Sequence, residues 1–148
     1  MDAARLACCI ALCLIGLAPV AGCRSSAPTP ARADLAIEQD LRRGVREIRS
    51  THDRRKLRTE LVQLVVLLRR EHGTTVSAER GRELALQGLE ATIRGIRSQL
   101  DFIENDSGNV AAATRDAKRA DRYLRLGAAR LRAAGQALGV PIGELNGY

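Results

Sequence analysis

The chain has 148 residues, of which 45% are hydrophobic and only 2% are aromatic, with no Trp. This length suffices for one domain and is short for two, and the scarcity of aromatic side chains leaves Ala and Leu to build the core. Such a core is typical of closely packed helices and disfavours a β-sandwich. Lys and Arg outnumber Asp and Glu by 24 to 17, so the composition favours anionic partners.

The first 22 residues have the organisation of a signal peptide. Arg5 provides a positive charge before the apolar stretch Leu6 to Val20, which is about as long as the hydrophobic segment of a secretory signal. The stretch runs into the tetrapeptide Val20-Ala21-Gly22-Cys23. This tetrapeptide resembles the bacterial lipobox, in which a signal peptidase cleaves before the Cys and a diacylglycerol is attached to its thiol. The resemblance covers only the signal, and it implies a bacterial lipoprotein with Cys23 as its lipidated first residue.

An uncleaved membrane anchor is the alternative interpretation of this segment, because the run from Leu6 to Gly22 approaches the shortest length that spans a bilayer. The small residues before Cys23 favour cleavage over retention. Cleavage would remove Cys8, Cys9 and Cys13. We therefore expect neither a disulfide nor a thiolate metal site in the mature chain.

Residues 23–33 are predicted to be the lipidated Cys and a flexible tether, since Pro and Ser are frequent there and no periodic apolar pattern is present. At about 3.3 Å per residue, this segment holds the domain within roughly 30 Å of the lipid headgroups. The expected location is the cell membrane or the outer membrane, facing the periplasm or the extracellular side. Arg24 replaces the Asp that retains lipoproteins at the inner membrane of enteric-type bacteria, which favours the outer membrane where one exists.

Residues 34–139 are predicted to form one helical domain, in which apolar side chains recur at three- and four-residue spacing. The first helix is expected from about Asp34 to Ser50 and the second from about Asp53 to His72. The apolar phase shifts between them, so we place a break near Ser50-Thr51-His52, where Ser or Thr would cap the second helix. One long kinked helix over residues 34–72 is the alternative.

The third helix is expected from Ala78 to about Glu104, between a stop at Gly73 and a cap at Ser77. It carries two adjacent stripes. The first is an apolar seam with heptad spacing, made of Leu86, Leu89, Ile93, Ile96, Leu100 and Ile103. The second repeats glycine every seven residues, at Gly81, Gly88 and Gly95. Each glycine costs a helix about 1 kcal/mol relative to Ala, so this repeat predicts a neighbouring helix backbone close by.

The fourth helix is expected from Val110 to Leu138, after a turn at residues 105–109. Small and apolar residues alternate along it at spacings of three and four, and Gly139 and Pro141 end it. With the third helix it should form an antiparallel hairpin about 40 Å long, followed by a C-terminal tail at residues 140–148. The predicted fold is therefore all-α: a small antiparallel bundle of three to four helices, dominated by this hairpin.

The fourth helix is also strongly basic, with seven basic and two acidic residues between Val110 and Leu138. Six of the basic residues fall at the heptad positions furthest from the seam. We define these six as the basic stripe: Arg115, Lys118, Arg119, Arg122, Arg125 and Arg132. The stripe is a candidate surface for anionic lipid headgroups, an acidic wall polymer or an envelope protein. An ordinary solvated face is the alternative, and without interleaved aromatic residues nucleic acid is not an expected partner.

No catalytic or metal-binding motif is found in the sequence. His52 and His72 are the only histidines, and neither belongs to a Glu-x-x-His or His-Glu-x-x-His motif. We therefore expect no enzyme activity, no cofactor and no metal. The expected function is a non-catalytic interaction or structural module of the cell envelope. The alternatives are a small-ligand or lipid carrier with an apolar cavity between its helices, and an accessory subunit of a membrane complex.

Overall fold

The computed structural model describes residues 31–104 and 109–145, and these residues form an all-α bundle. Its helices are α1 (Arg32–Ser50), α2 (Arg54–Arg70), α3 (Val76–Glu104) and α4 (Val110–Leu138). Helices α3 and α4 make the most extensive contact in the bundle. The predicted fold class, a helical bundle dominated by a C-terminal hairpin, is confirmed. The predicted signal segment and Cys23 lie outside the described residues.

The predicted break between the first two helices is confirmed, and the single kinked helix is wrong, because residues 51–53 are not helical. The predicted Ser or Thr cap is also wrong. Asp53 caps α2, and its Oδ1 accepts hydrogen bonds from the backbone N–H groups of Arg55 and Lys56 at 2.9 and 3.1 Å. A carboxylate is better suited to this position than a hydroxyl, because it also complements the positive end of the helix dipole.

The connection between α2 and α3 differs from its prediction at both ends. Helix α2 ends at Arg70, two residues before the expected His72. Helix α3 begins at Val76, so Ser77 is already helical. The cap is Thr75, whose Oγ1 accepts a hydrogen bond from the backbone N–H of Ala78 at 3.1 Å.

Gly73 lies in this connection for a reason other than the predicted helix stop. Its φ is not positive, so no left-handed turn requires glycine there. A Cβ at Gly73 would instead overlap the backbone of the first turn of α3, with the carbonyl carbon of Ala78 only 2.7 Å away. Glycine is required at this position because two stretches of backbone pass close to each other.

The glycine repeat of α3 faces α4, which confirms the predicted close neighbour. A Cβ on each glycine would overlap a leucine of α4, in the pairs Gly81 with Leu138, Gly88 with Leu131 and Gly95 with Leu124. The pairs advance by seven residues on α3 while they retreat by seven on α4. The two helices are therefore antiparallel and in a constant register along three successive contacts.

The apolar seam of α3 contributes to the buried core. Leu89 and Ile96 are fully buried beside the leucines of α1 and α2. The last predicted seam residue, Ile103, is instead 65% exposed, because no other described element covers the last turn of α3 on that side. Val110 at the start of α4 is likewise exposed, and continuous burial on α4 begins only at Ala120.

The segment after α4 packs back onto the bundle. Gly139 ends the helix in the left-handed conformation, with φ +67°, as expected of a glycine stop. Val140 and Leu145 are buried, and Leu145 belongs to the core. The Arg49 guanidinium donates a hydrogen bond to the carbonyl oxygen of Glu144 at 3.1 Å. Residues 140–145, assigned to a tail from the sequence, are thus held against α1 and α4.

Candidate functional site

The basic stripe lies on the outer surface of α4. All six side chains are exposed, because the opposite face of the helix is buried against α3. From Arg115 to Arg132 the helix rises about 26 Å at 1.5 Å per residue. A second basic segment lies on α2 and consists of Arg54, Arg55, Lys56, Arg58, Arg69 and Arg70. No Cα atom of α2 lies within 8 Å of one in α4, so this segment is separate from the stripe.

Acidic residues on α4 neutralise part of the stripe. Arg119 pairs with Asp116 at 3.4 Å and Arg125 pairs with Asp121 at 2.9 Å. Such exposed pairs within one helix are worth only about 0.3–0.5 kcal/mol each, so an external anion can compete for both guanidinium groups.

The other four side chains of the stripe make few hydrogen bonds or ion pairs with the described residues. Arg132 donates a hydrogen bond to the carbonyl oxygen of Ala128 at 3.3 Å. No hydrogen bond or ion pair joins the side chain of Arg115, Lys118 or Arg122 to any other described residue. Among the described residues, no acidic side chain pairs with these three positive charges, which are balanced by water and dissolved ions. Binding an external anion would therefore break no ion pair or hydrogen bond between these side chains and the described residues.

The second basic segment, on α2, is less available to an external anion. Arg55 of α2 pairs with Glu104 of α3 at 2.7 Å, and Arg69 pairs with Glu90 at the same distance. Both acidic partners lie on the neighbouring helix, so charge on this side of the bundle is mixed. The acidic partners of these α2 side chains lie on α3, whereas the acidic partners in the basic stripe lie on α4 itself.

One hydrogen-bonded cluster shows which helix ends lie together at one end of the bundle. Asp34, in the first turn of α1, is 6% exposed. It accepts hydrogen bonds from the backbone N–H and the Oγ1 of Thr74, at 2.7 and 2.8 Å. The start of α1 therefore lies beside the start of α3, and Leu138 at the end of α4 lies there too, against Gly81. No pattern in the sequence predicts this contact, because the two residues are 40 positions apart.

Glu79 and Arg82 of α3 extend the same cluster. Glu79 accepts hydrogen bonds from the Arg82 guanidinium and, at 2.8 Å, from the backbone N–H of Gly73. These two donors lower the pKa of Glu79 to about 2, with the Arg82 side chain as the larger cause. Arg82 also donates to the carbonyl oxygen of Leu68 at 3.3 Å, and its pKa is raised by the Glu79 carboxylate. The cluster fixes the α2–α3 connection, and its role is structural.

A groove that the sequence did not predict runs beside the basic stripe. It has a volume of about 570 Å³ and lies between α3, α4 and the end of the C-terminal segment. Its apolar surface comes from Phe102, Leu124 and Leu145, and its polar rim includes Arg125 and Arg132 of the stripe. The sequence could not reveal it, because the groove depends on where Leu145 folds back.

The histidines are both exposed and separated along the chain. His52 Nδ1 lies 3.2 Å from the carbonyl oxygen of Ser50. Among residues 31–104 and 109–145, no group of three or more His, Cys, Asp or Glu side chains is placed to hold a metal ion.

Comparison with models of protein families, with curated proteins and with solved structures gives no match to this chain. In the described ranges, none of the helices combines the length and the hydrophobicity needed to cross a membrane.

Proposed function

We propose that this chain is a lipoprotein of the cell envelope, attached through Cys23, whose helical bundle is a non-catalytic interaction module. Its basic stripe binds an anionic surface, and the bilayer headgroups nearest the anchor are the partner that we favour. The observation that carries the proposal is the exposed row of six basic side chains on α4, three of which have no partner among the described residues.

The position of the first helix supports the anchoring part of the proposal. Helix α1 begins at Arg32, only nine residues after Cys23. A segment of this length spans at most about 30 Å when extended. A lipid on Cys23 would therefore keep the whole bundle next to the membrane surface, where the surface potential acts on basic side chains.

The charge on α4 supports the choice of an anionic partner. Each Lys or Arg close to an anionic bilayer contributes about 1 kcal/mol of attraction. The stripe is nearly free of large exposed apolar side chains, since Leu126 is the one such residue between Arg115 and Arg132. Attraction would thus be electrostatic, with little insertion into the hydrocarbon, and it should weaken as salt screens the charges.

Metabolic labelling with a palmitate analogue tests the anchor. The wild type should carry the label and sediment with membranes, whereas Cys23→Ala should lose the label. Cys13→Ala is the matched control, because Cys13 lies in the predicted signal segment but outside the lipobox. Equal labelling of wild type and Cys23→Ala, or loss of the label in the Cys13→Ala control alone, would contradict lipidation at Cys23.

Vesicle binding tests the stripe. The soluble chain from Arg24 to Tyr148, which contains every described helix, would be titrated with vesicles of phosphatidylglycerol and phosphatidylcholine. Replacing Arg115, Arg119, Arg122 and Arg125 with Gln should weaken binding by up to about a thousandfold, the equivalent of about 4 kcal/mol. The effect should shrink in high salt.

A second variant with the same change in net charge provides the control. It replaces four exposed residues outside α4 with Gln: Lys56, Arg58, Arg70 and Arg80. This variant should retain most of the binding. Equal losses in both variants would show that total charge, and not the stripe, attracts the vesicles. Binding to a soluble polyanion such as polyglutamate without binding to vesicles would refute the bilayer as partner.

A further inference from the structure

The groove beside the stripe arises from a change in the α3–α4 seam. In the three glycine layers, a glycine on α3 receives a leucine of α4. Continuing the same register towards the end of α3, the next residues on α3 are Gln99 and Phe102, opposite Ala120 and Ala117. The large side chain is now on α3 and the small one on α4, and all four residues line the groove.

This reversal leaves space that the bundle does not fill. Close packing needs large and small side chains to interdigitate, and the two alanines are too short to fill the space beside Phe102, which is 45% exposed. The resulting volume of about 570 Å³ falls within the range of about 300–1,000 Å³ that is typical of ligand sites.

The chemistry of the groove is divided between its floor and its rim. Leu124 and Leu145, both 6% exposed, form an apolar floor with Phe102. Arg125 and Arg132 lie at the rim, where Asp121 is the single acidic residue. Asp121 pairs with Arg125, so Arg132 supplies an unbalanced positive charge at the edge of an apolar surface.

Gln99 adds an unsatisfied amide to the lining. Its side chain forms no hydrogen bond with any other described residue, and its Oε1 is buried without a partner. A buried acceptor without a partner costs about as much as a lost hydrogen bond. The two amide N–H donors of Gln99 are likewise unused within the described chain, and an anionic group in the groove could accept from them.

We propose that this groove binds a single-chain anionic amphiphile, that is, a molecule with one acyl chain and a negatively charged head. The chain lies on the Phe102, Leu124 and Leu145 floor, and the head is held by Arg132 with Arg125 and the Gln99 amide. A long-chain fatty acid and an anionic lysophospholipid share this chemistry. The site goes beyond the proposed surface function and does not depend on the lipid anchor.

Displacement of a fluorescent fatty acid, 11-(dansylamino)undecanoic acid, from the chain spanning Arg24 to Tyr148 measures this binding. Oleate and lysophosphatidylglycerol, each kept below its critical micelle concentration, are the competing ligands, and displacement by one but not the other identifies the preferred head group. A neutral monoacylglycerol with the same chain is the control ligand. The anionic ligands should displace the probe at concentrations at least about tenfold lower than the neutral one, as expected for a charge-assisted contact.

Two pairs of variants locate the site. Ala117→Trp places a large side chain in the groove and should abolish binding, whereas Ala129→Trp, on an exposed part of the same helix that does not line the groove, should not. Arg132→Gln should weaken binding about tenfold, whereas Arg130→Gln should leave it unchanged. Circular dichroism melting curves would show that each variant is folded.

Gln99→Met separates a ligand contact from a purely structural role. It removes the unsatisfied buried acceptor, so Tm should rise. It also removes the amide donors, so affinity for the anionic ligands should fall several-fold. Retained affinity in both Ala117→Trp and Gln99→Met, or displacement that depends only on chain length and not on head charge, would overturn the proposal. Because Arg125 and Arg132 belong to both the stripe and the groove, Ala117→Trp is the variant that tests the groove independently of vesicle binding, since Ala117 lines the groove and lies outside the stripe.

Discussion

Gly88 and Leu131 lie directly against each other across the α3–α4 interface: a Cβ at Gly88 would be 2.8 Å from Leu131 Cγ and 3.0 Å from the Leu131 backbone nitrogen. Real Cβ atoms do not approach other atoms so closely, and backbone cannot move aside as a flexible side chain can. The absent methyl group therefore sets the distance between the two longest helices, each of 29 residues.

Gly88→Ala should destabilise the protein for this reason. Overpacking costs about 1–3 kcal/mol, and we expect the upper part of this range, about 2–3 kcal/mol, because the Leu131 backbone is among the atoms contacted. The gain of about 1 kcal/mol in helix propensity from glycine to alanine offsets part of this cost. We expect a net loss of roughly 1–2 kcal/mol in the free energy of unfolding, measured by urea denaturation. Gly44→Ala in α1 is the control and should be close to neutral, since its Cβ would meet only the ends of leucine side chains, of which Leu89 Cδ2 is the nearest at 3.1 Å. A Gly88→Ala protein as stable as the wild type would contradict the close approach of the helices.

Asp34→Asn should weaken the attachment of α1 to the α2–α3 connection. The buried carboxylate accepts hydrogen bonds from Thr74 through both of its oxygens, whereas an amide offers one oxygen and no charge. Hydrogen bonds to a charged group are worth about 1.5–3 kcal/mol, so we expect a loss of roughly 2 kcal/mol in urea denaturation.

Asp40→Asn is the matched comparison, because it makes the same change six positions further along α1. Burial, with Glu71 nearby, raises the pKa of Asp40, which means that the folded environment disfavours its negative charge. This substitution should leave stability unchanged or raise it. A similar loss in both variants would show that Asp34 contributes no specific contact.

The pH dependence of stability should reflect Glu79. Its pKa falls from 4.5 to about 2 on folding, so between these values the unfolded chain binds a proton that the folded chain does not. Stability should therefore be complete above about pH 5 and decline as pH falls towards 2. The raised pKa of Asp40 acts in the opposite direction and reduces the net slope.

Glu79→Gln isolates this contribution. Thermal unfolding followed by circular dichroism between pH 2 and pH 6 should give a flatter profile for the variant than for the wild type. Glu83→Gln, four residues further along α3, is the control, and its profile should parallel that of the wild type. Parallel profiles for wild type and Glu79→Gln would mean that Glu79 is not held ionised by Arg82 and Gly73.

The sequence predicted the features that depend on periodicity. Heptad spacing predicted α3 and α4. The glycine repeat predicted that the two backbones approach closely, because close packing against a neighbouring helix compensates for the low helix propensity of three glycines. The exposed side chains of the basic stripe follow from the same periodicity, since positions opposite a buried seam face solvent.

The features that depend on contacts distant in sequence could not be predicted. Several Ser, Thr and Asp residues near each helix start were suitable caps, and tertiary context selected Asp53 and Thr75. The exposure of Ile103 follows from where the neighbouring elements end, which periodicity does not encode. The groove requires both the reversal at Phe102 and the return of Leu145 to the bundle, and only the folded chain brings the two together.

The mass of the chain extracted from cell membranes is the most direct test of the central claim, attachment through Cys23. The account predicts a chain that begins at Cys23, lacks residues 1–22 and carries a diacylglyceryl group on that residue. A membrane-associated chain that retains residues 1–22, or one whose Cys23 carries no lipid, would contradict it.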